Sequence, residues 1–109
     1  MLNKIMMTGR ITTDLSVVTE EDRSYCKFCI AVDQPKQKGV DTVETDTFTC
    51  LAFDDNASAV SFLYSKGGTI TFVGSLMNAP DNTAVLIVEQ LHFKNRFAVK
   101  VDVNSDQIF

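Results

Sequence analysis

The sequence predicts an all-β domain: a five-stranded barrel with one short helix between strands three and four, plus an extra C-terminal strand. Three observations lead there. Apolar and polar residues alternate along separate short stretches, the period of strands buried on one face. One stretch, DDNASAVSFLYSKGG at 54–68, interrupts that pattern with helix-boundary residues at both ends. The length, 109 residues, fits a single domain that buries roughly two-thirds of its unfolded surface.

Each element has its own warrant. From Leu2 to Ile11, Ile5, Met7 and Ile11 share one face, and Lys4, Thr8 and Arg10 the other. Thr12 to Arg23 reads as a connection whose acidic run, Glu20, Glu21 and Asp22, forms a solvated turn. The second strand, Tyr25 to Asp33, buries Cys26, Phe28, Ile30 and Val32. Gln34 to Glu44 contains Pro35 and Gly39 and reads as a long hairpin loop carrying Lys36 and Lys38. In the third strand, Thr45 to Phe53, Phe48, Cys50 and Ala52 point one way, and Thr47, Thr49, Leu51 and Phe53 the other.

Asp54, Asp55 and Asn56 are good N-cap residues for a helix over Ala57 to Lys66. Lys66 suits its C-terminal dipole, and Gly67 the left-handed residue that ends it. The fourth strand, Thr69 to Leu76, places Ile70, Phe72, Gly74 and Leu76 on one side, and Met77 to Asn82 is a tight turn. Thr83 to Phe93 starts apolar on both faces, which marks a central strand. Five strands with a helix between the third and fourth is the order of an OB-fold barrel, whose closure removes exposed edges. Residues 1–93 make that barrel. Residues 94–109 form an extra strand and tail of the same domain, with Phe97, Val99, Val101 and Val103 on one face and Lys94, Arg96 and Lys100 on the other.

Composition narrows the function classes. The net charge is −4, from 10 basic and 14 acidic side chains, so nucleic-acid binding through the net field is disfavoured and a local basic surface would be required. No run approaches the ~18 apolar residues of a membrane span. The opening MLNKIMMTGRI is too short and too polar for a signal peptide, and a cytoplasmic protein is expected. An odd number of cysteines, Cys26, Cys29 and Cys50, suggests reduced thiols. Cys26 and Cys29 form a C-x-x-C that, with Cys50 and His92, allows a zinc site on paper; three residues apart on a strand, however, they fall on opposite faces. No metal site and no cofactor is therefore expected. The sequence contains no nucleophile elbow, phosphate loop or histidine dyad, and an enzyme is not expected.

Several segments together resemble the bacterial single-stranded DNA-binding proteins that assemble from OB-folds. LNKIMMTGRI is similar to that family's first strand, KFCIAV and DQPK to its second strand and exit, and TDTFTCLAF to its third. YSKGGTITFVGSL resembles its helix end and fourth strand. The resemblance covers about residues 1–93. It implies binding of single-stranded DNA without sequence preference, in replication, recombination or repair, by a homodimer or homotetramer joined through Leu2 to Thr8. Replication or repair proteins are then partners as well.

By the same resemblance the nucleic-acid-binding residues are Lys4, Arg10, Lys36, Lys38, Phe53 and Lys66; Lys94, Arg96 and Lys100 match no family position, and their period-two spacing makes them a candidate additional basic face. Phe53 either stacks a base or packs on its own barrel. The chain departs from the family's pattern where binding is made. Its loop aromatic falls on Lys36, its early third-strand aromatic on Thr47, and its basic residue after the third strand on Asp54. The basic, aromatic hairpin between strands four and five is reduced to MNAPDN; the extra strand is expected where the family has a flexible linker, and the last residues, SDQIF, echo the family's acidic tip only in Asp106, Ile108 and Phe109. Each stacked ring is worth about 1–3 kcal/mol, so weaker binding is expected. The alternative is an OB-fold protein–protein interaction module with little DNA affinity.

Overall fold

The computed structural model describes residues 1–35, 39 and 42–92. Its elements are β1 (Ile5–Ile11), β2 (Val17–Glu20), β3 (Arg23–Asp33), β4 (Thr45–Phe53), α1 (Asp54–Leu63), β5 (Thr69–Asn78) and β6 (Ala84–His92). The strands run β1-β5-β6-β4-β3-β2 across the sheet, and β1 returns to β3 through Arg10–Ala31 and Ile11–Ile30. That closure makes a ring of five strands with β2 outside it on the edge of β3. In chain order α1 falls between the third and fourth ring strands, as predicted for an OB-fold. β6 is the central strand expected, lying between β5 and a parallel β4.

The alternation that predicted the strands also selects the core. Cys26, Phe28 and Ile30 of β3, Cys50 and Ala52 of β4, and Ile70 and Phe72 of β5 are all buried. α1 contributes Ala57 and Val60 and packs on β3, β4 and β6. Along β6 the inward set runs Leu86, Val88, Leu91, because Glu89 is an extra residue where the β5 register passes from Val73–Gln90 to Gly74–Val88. Gly74 sits at that bulge. A methyl group there would overlap the Ile87 carbonyl oxygen and come within 3.3 Å of Phe72 Cε2.

The structure shifts the expected boundaries: β1 begins at Ile5 rather than Leu2, and β3 at Arg23 rather than Tyr25. The connection after β1 contains a strand, β2, whose four residues are all exposed and so carry no alternation to read. Pairing with β3, from Val17–Cys26 to Glu20–Arg23, is what makes it a strand. The helix begins at Asp54 and ends at Leu63, three residues early. Tyr64 turns out of the helix and packs its ring against the core, while Gly67, at φ 93°, instead shapes a turn whose N–H bonds to Ile11 O at 2.8 Å. Lys66 thus lies beyond the last helical turn. Finally, β5 runs on to Asn78, past the end of the barrel, so Leu76 is 47% exposed despite its core parity. The extra strand expected at 94–103 lies outside the described residues.

Candidate nucleic-acid interface

The outward faces of β3 and β4 form one continuous ladder. Their antiparallel register places Tyr25 opposite Phe53, Lys27 opposite Leu51, Cys29 opposite Thr49 and Ala31 opposite Thr47. These side chains are half-buried or exposed, whereas their neighbours Cys26, Phe28, Cys50 and Ala52 are buried. Ala31 also faces Arg10 of β1. The face therefore runs from an aromatic pair at Tyr25 and Phe53 to an exposed cation at Arg10, about 20 Å along the strand. Midway, Lys27, Thr49, Leu51 and Val85 line an open cleft of about 410 Å³, walled by Pro80 and Asp81 of the β5–β6 hairpin. A single strand laid along this face meets rings, apolar surface and cations in turn, the arrangement that sequence-tolerant strand binding uses.

Phe53 does not present a bare ring. The Arg23 guanidinium carbon lies 4.1 Å above the ring centroid, a cation–π contact worth about 0.5–1 kcal/mol at an exposed site. Asp54 Oδ2 stands 3.4 Å from Arg23 Nε, and Asp54 Oδ1 accepts the Ser24 N–H at 3.3 Å. Asp54 is thus turned towards β3, with its own backbone in the left-handed region at φ 51°. No side chain caps the N-terminus of α1, contrary to the capping role expected of 54–56; Asn56 instead donates to Val88 O and Glu89 O. Arg23 sits in the polar run EEDRS, which carries no local sequence signal of a binding site.

The other expected cations are dispersed. Lys4, just before β1, is tied to Glu89 of β6 by an ion pair that reaches across β5. The Lys4 ammonium first, then the Ser75 hydroxyl, holds that carboxyl below the usual carboxylate range. Lys66 is exposed in the turn whose Gly67 bonds to Ile11, next to Arg10. Among the described residues, neither Arg10 nor Lys66 has an ion-pair partner. Lys36, Lys38, Lys94, Arg96 and Lys100 lie outside the described residues. In the hairpin, the Thr83 hydroxyl at 2.7 Å and the Thr83 N–H at 3.1 Å hold Asp81 below its usual range, which keeps an anion in the cleft beside Lys27.

The thiols divide as the strand parity requires. Cys26 and Cys50 are fully buried, and Cys29 is on the outer face. Burial, with a smaller contribution from Cys29, pushes the Cys50 thiol up to about 12. Among the described residues, no three His, Cys, Asp or Glu side chains are gathered to hold a metal ion.

Asn3 completes the geometry. Its side-chain amide donates to Leu76 O at 2.8 Å and accepts the Leu76 N–H at 3.0 Å, so it extends the β1–β5 ladder beyond Ile5. A sequence model described as the single-strand binding protein family matches residues 2–84. The chain belongs to that family. Over 76 residues it is 30% identical to a protein of Staphylococcus epidermidis named single-stranded DNA-binding protein, covering 70% of this chain and 58% of the relative. Over 78 residues it is 31% identical to a protein of the same name from Fusobacterium nucleatum, covering 69% and 51%. The chain thus spans little more than half the length of these relatives. Among solved structures, it superposes on the second single-stranded DNA-binding protein of Mycobacterium smegmatis with a TM-score of 0.71 at 18% identity, covering 93% of this chain and 98% of that one. The mitochondrial single-stranded DNA-binding protein of Saccharomyces cerevisiae gives 0.66 at 21% identity, covering 83% and 91%. These two likenesses establish the shared OB barrel.

Proposed function

We propose that this family member binds single-stranded DNA weakly and without sequence preference, along the outward face of β3 and β4, in replication, recombination or repair. The observation that carries the reading is the Tyr25–Phe53 pair, two rings on the solvent side of a barrel whose inward side is full. Stacking on rings is indifferent to base identity because every base has a π-face. Arg10 and Lys66 supply phosphate contacts at the far end, and Lys36, Lys38, Lys94, Arg96 and Lys100 are proposed to add to them. The protein acts in the cytoplasm by binding, with no catalytic step; among the described residues, no helix is long and apolar enough to cross a membrane.

Weak binding follows from the acidic groups set against the cations: Glu89 on Lys4, Asp54 on Arg23 and Asp81 beside Lys27. The same observation favours a second reading, a protein–protein interaction module with little DNA affinity. A fluorescence anisotropy titration with labelled oligo-dT separates the two. With few rings, phosphates carry much of the affinity, and each neutralised phosphate contributes a log–log salt slope of about −0.7. Binding should be clear at low salt, fall steeply with added salt, and exceed that to duplex of equal length. No binding to strands of about 30 nucleotides at low salt rejects the first reading and leaves the second.

A homodimer or homotetramer through Leu2 to Thr8 is part of the proposal. β1 pairs with β5 along Ile5 to Arg10 but meets β3 only at Arg10 and Ile11, which leaves one edge of its first half open among the described residues. Leu2 and Met6 beside it are 89% and 71% exposed. An open apolar edge invites pairing with another strand. Light scattering at micromolar concentration should give a dimer or larger; a monomer rejects this assembly.

A further inference from the structure

We propose that Arg23 is the base-facing layer of the stacking platform: a base rests on its guanidinium plane, with Phe53 beneath as the support. The inference rests on the single-stranded DNA reading above, in which Arg23 is only a cation countered by Asp54, and gives that residue a direct contact with the base. It starts from the stack itself. The guanidinium covers the Phe53 ring at 4.1 Å, so a base reaching for Phe53 meets Arg23 first. The Arg23 side chain is 62% exposed, which leaves the guanidinium an open upper face. Guanidinium planes stack bases as aromatic rings do, and add charge.

The orientation is held from one side only. Asp54 takes the Nε edge, and its second oxygen is anchored by the Ser24 N–H. The two Nη groups remain for the phosphate of the stacked nucleotide or for a base edge. The arrangement also accounts for an otherwise unfavourable feature. Asp54 stands where the resemblance places a basic residue, and it tolerates a left-handed backbone while leaving α1 uncapped. The cation absent at 54 is restored by Arg23 across the β3–β4 pair, placed over the ring instead of beside it.

The test is oligo-dT anisotropy on the full chain and on two variants, at several salt concentrations, with melting temperatures recorded. Arg23 is exposed, so Arg23→Met and Arg23→Lys should melt close to the parent. Arg23→Met should bind about tenfold more weakly, the size of one lost stacking contact. Its salt slope should be shallower by up to about 0.7, one phosphate's share. Arg23→Lys should restore the slope but only part of the affinity, because an ammonium has no plane. Unchanged or tighter binding by Arg23→Met overturns the proposal: Arg23 would then be a cover that the base displaces to reach Phe53. Full affinity in Arg23→Lys also overturns it, since charge alone would suffice. Failure of the parent chain itself to bind is a different result and removes the DNA reading as a whole.

Discussion

Replacing Gly74 by alanine should lower the stability of the chain by about 3 kcal/mol or more, the upper range for forcing atoms into a packed site. The added methyl group overlaps the Ile87 carbonyl oxygen, a backbone atom of the neighbouring strand that cannot rotate aside. Relief requires β5 and β6 to part at the bulge, where the register is already shifted between Val73 and Gly74. It also disturbs Phe72, which is fully buried in the core. For a domain of this size the melting temperature should fall by about 10–20 °C. Gly67→Ala is the natural control. Gly67 has φ 93° but open space around a Cβ, so only backbone strain of about 1–2 kcal/mol is added. Melting curves for the two variants decide the matter. A Gly74→Ala protein that melts no lower than Gly67→Ala would show that the β5–β6 contact yields easily.

Phe53→Ala should weaken oligo-dT binding by about 1–3 kcal/mol, roughly 5- to 150-fold. The ring lies on the outward parity of β4, opposite Tyr25 and below Arg23. Removing it deletes an aromatic surface and also the platform on which the guanidinium rests. Phe53 is only half-buried, on the face away from Phe28, Phe72 and Ile30, so the melting temperature should change by no more than a few degrees. Anisotropy and melting measured together on this variant distinguish the alternatives left open by the sequence. A large loss of stability with unchanged binding would make Phe53 a packing residue of its own barrel.

Much of this was legible in the residues. Strand parity depends on covalent geometry, because successive side chains must point to opposite faces. That is why Phe48, Cys50 and Ala52 could be separated from Thr49, Leu51 and Phe53 before any strand was paired. Parity also separated Cys26 from Cys29, which made a C-x-x-C metal site on one strand unfavourable. The bulge at Glu89 was not legible, because an extra residue in a ladder has no local signature in AVLIVEQLH.

The sequence by itself determined the chain order of the barrel strands, the position of the helix among them and most of the inward residues of β3, β4 and β5. Each of these follows from the period of apolar side chains, a property of neighbours along the chain. Only the tertiary structure decided the existence of β2, the use of Asp54 and the place of Arg23. β2 has no buried residue and exists because the edge of β3 offers it backbone partners. Asp54 has the chemistry of a helix cap, but β3 brings the Ser24 N–H and the Arg23 guanidinium within its reach. Arg23 is separated from Phe53 by 30 positions and joins it because Tyr25 pairs with Phe53 across β3 and β4. Contacts of that kind depend on strand register, which is set by how the whole barrel buries its apolar faces at once.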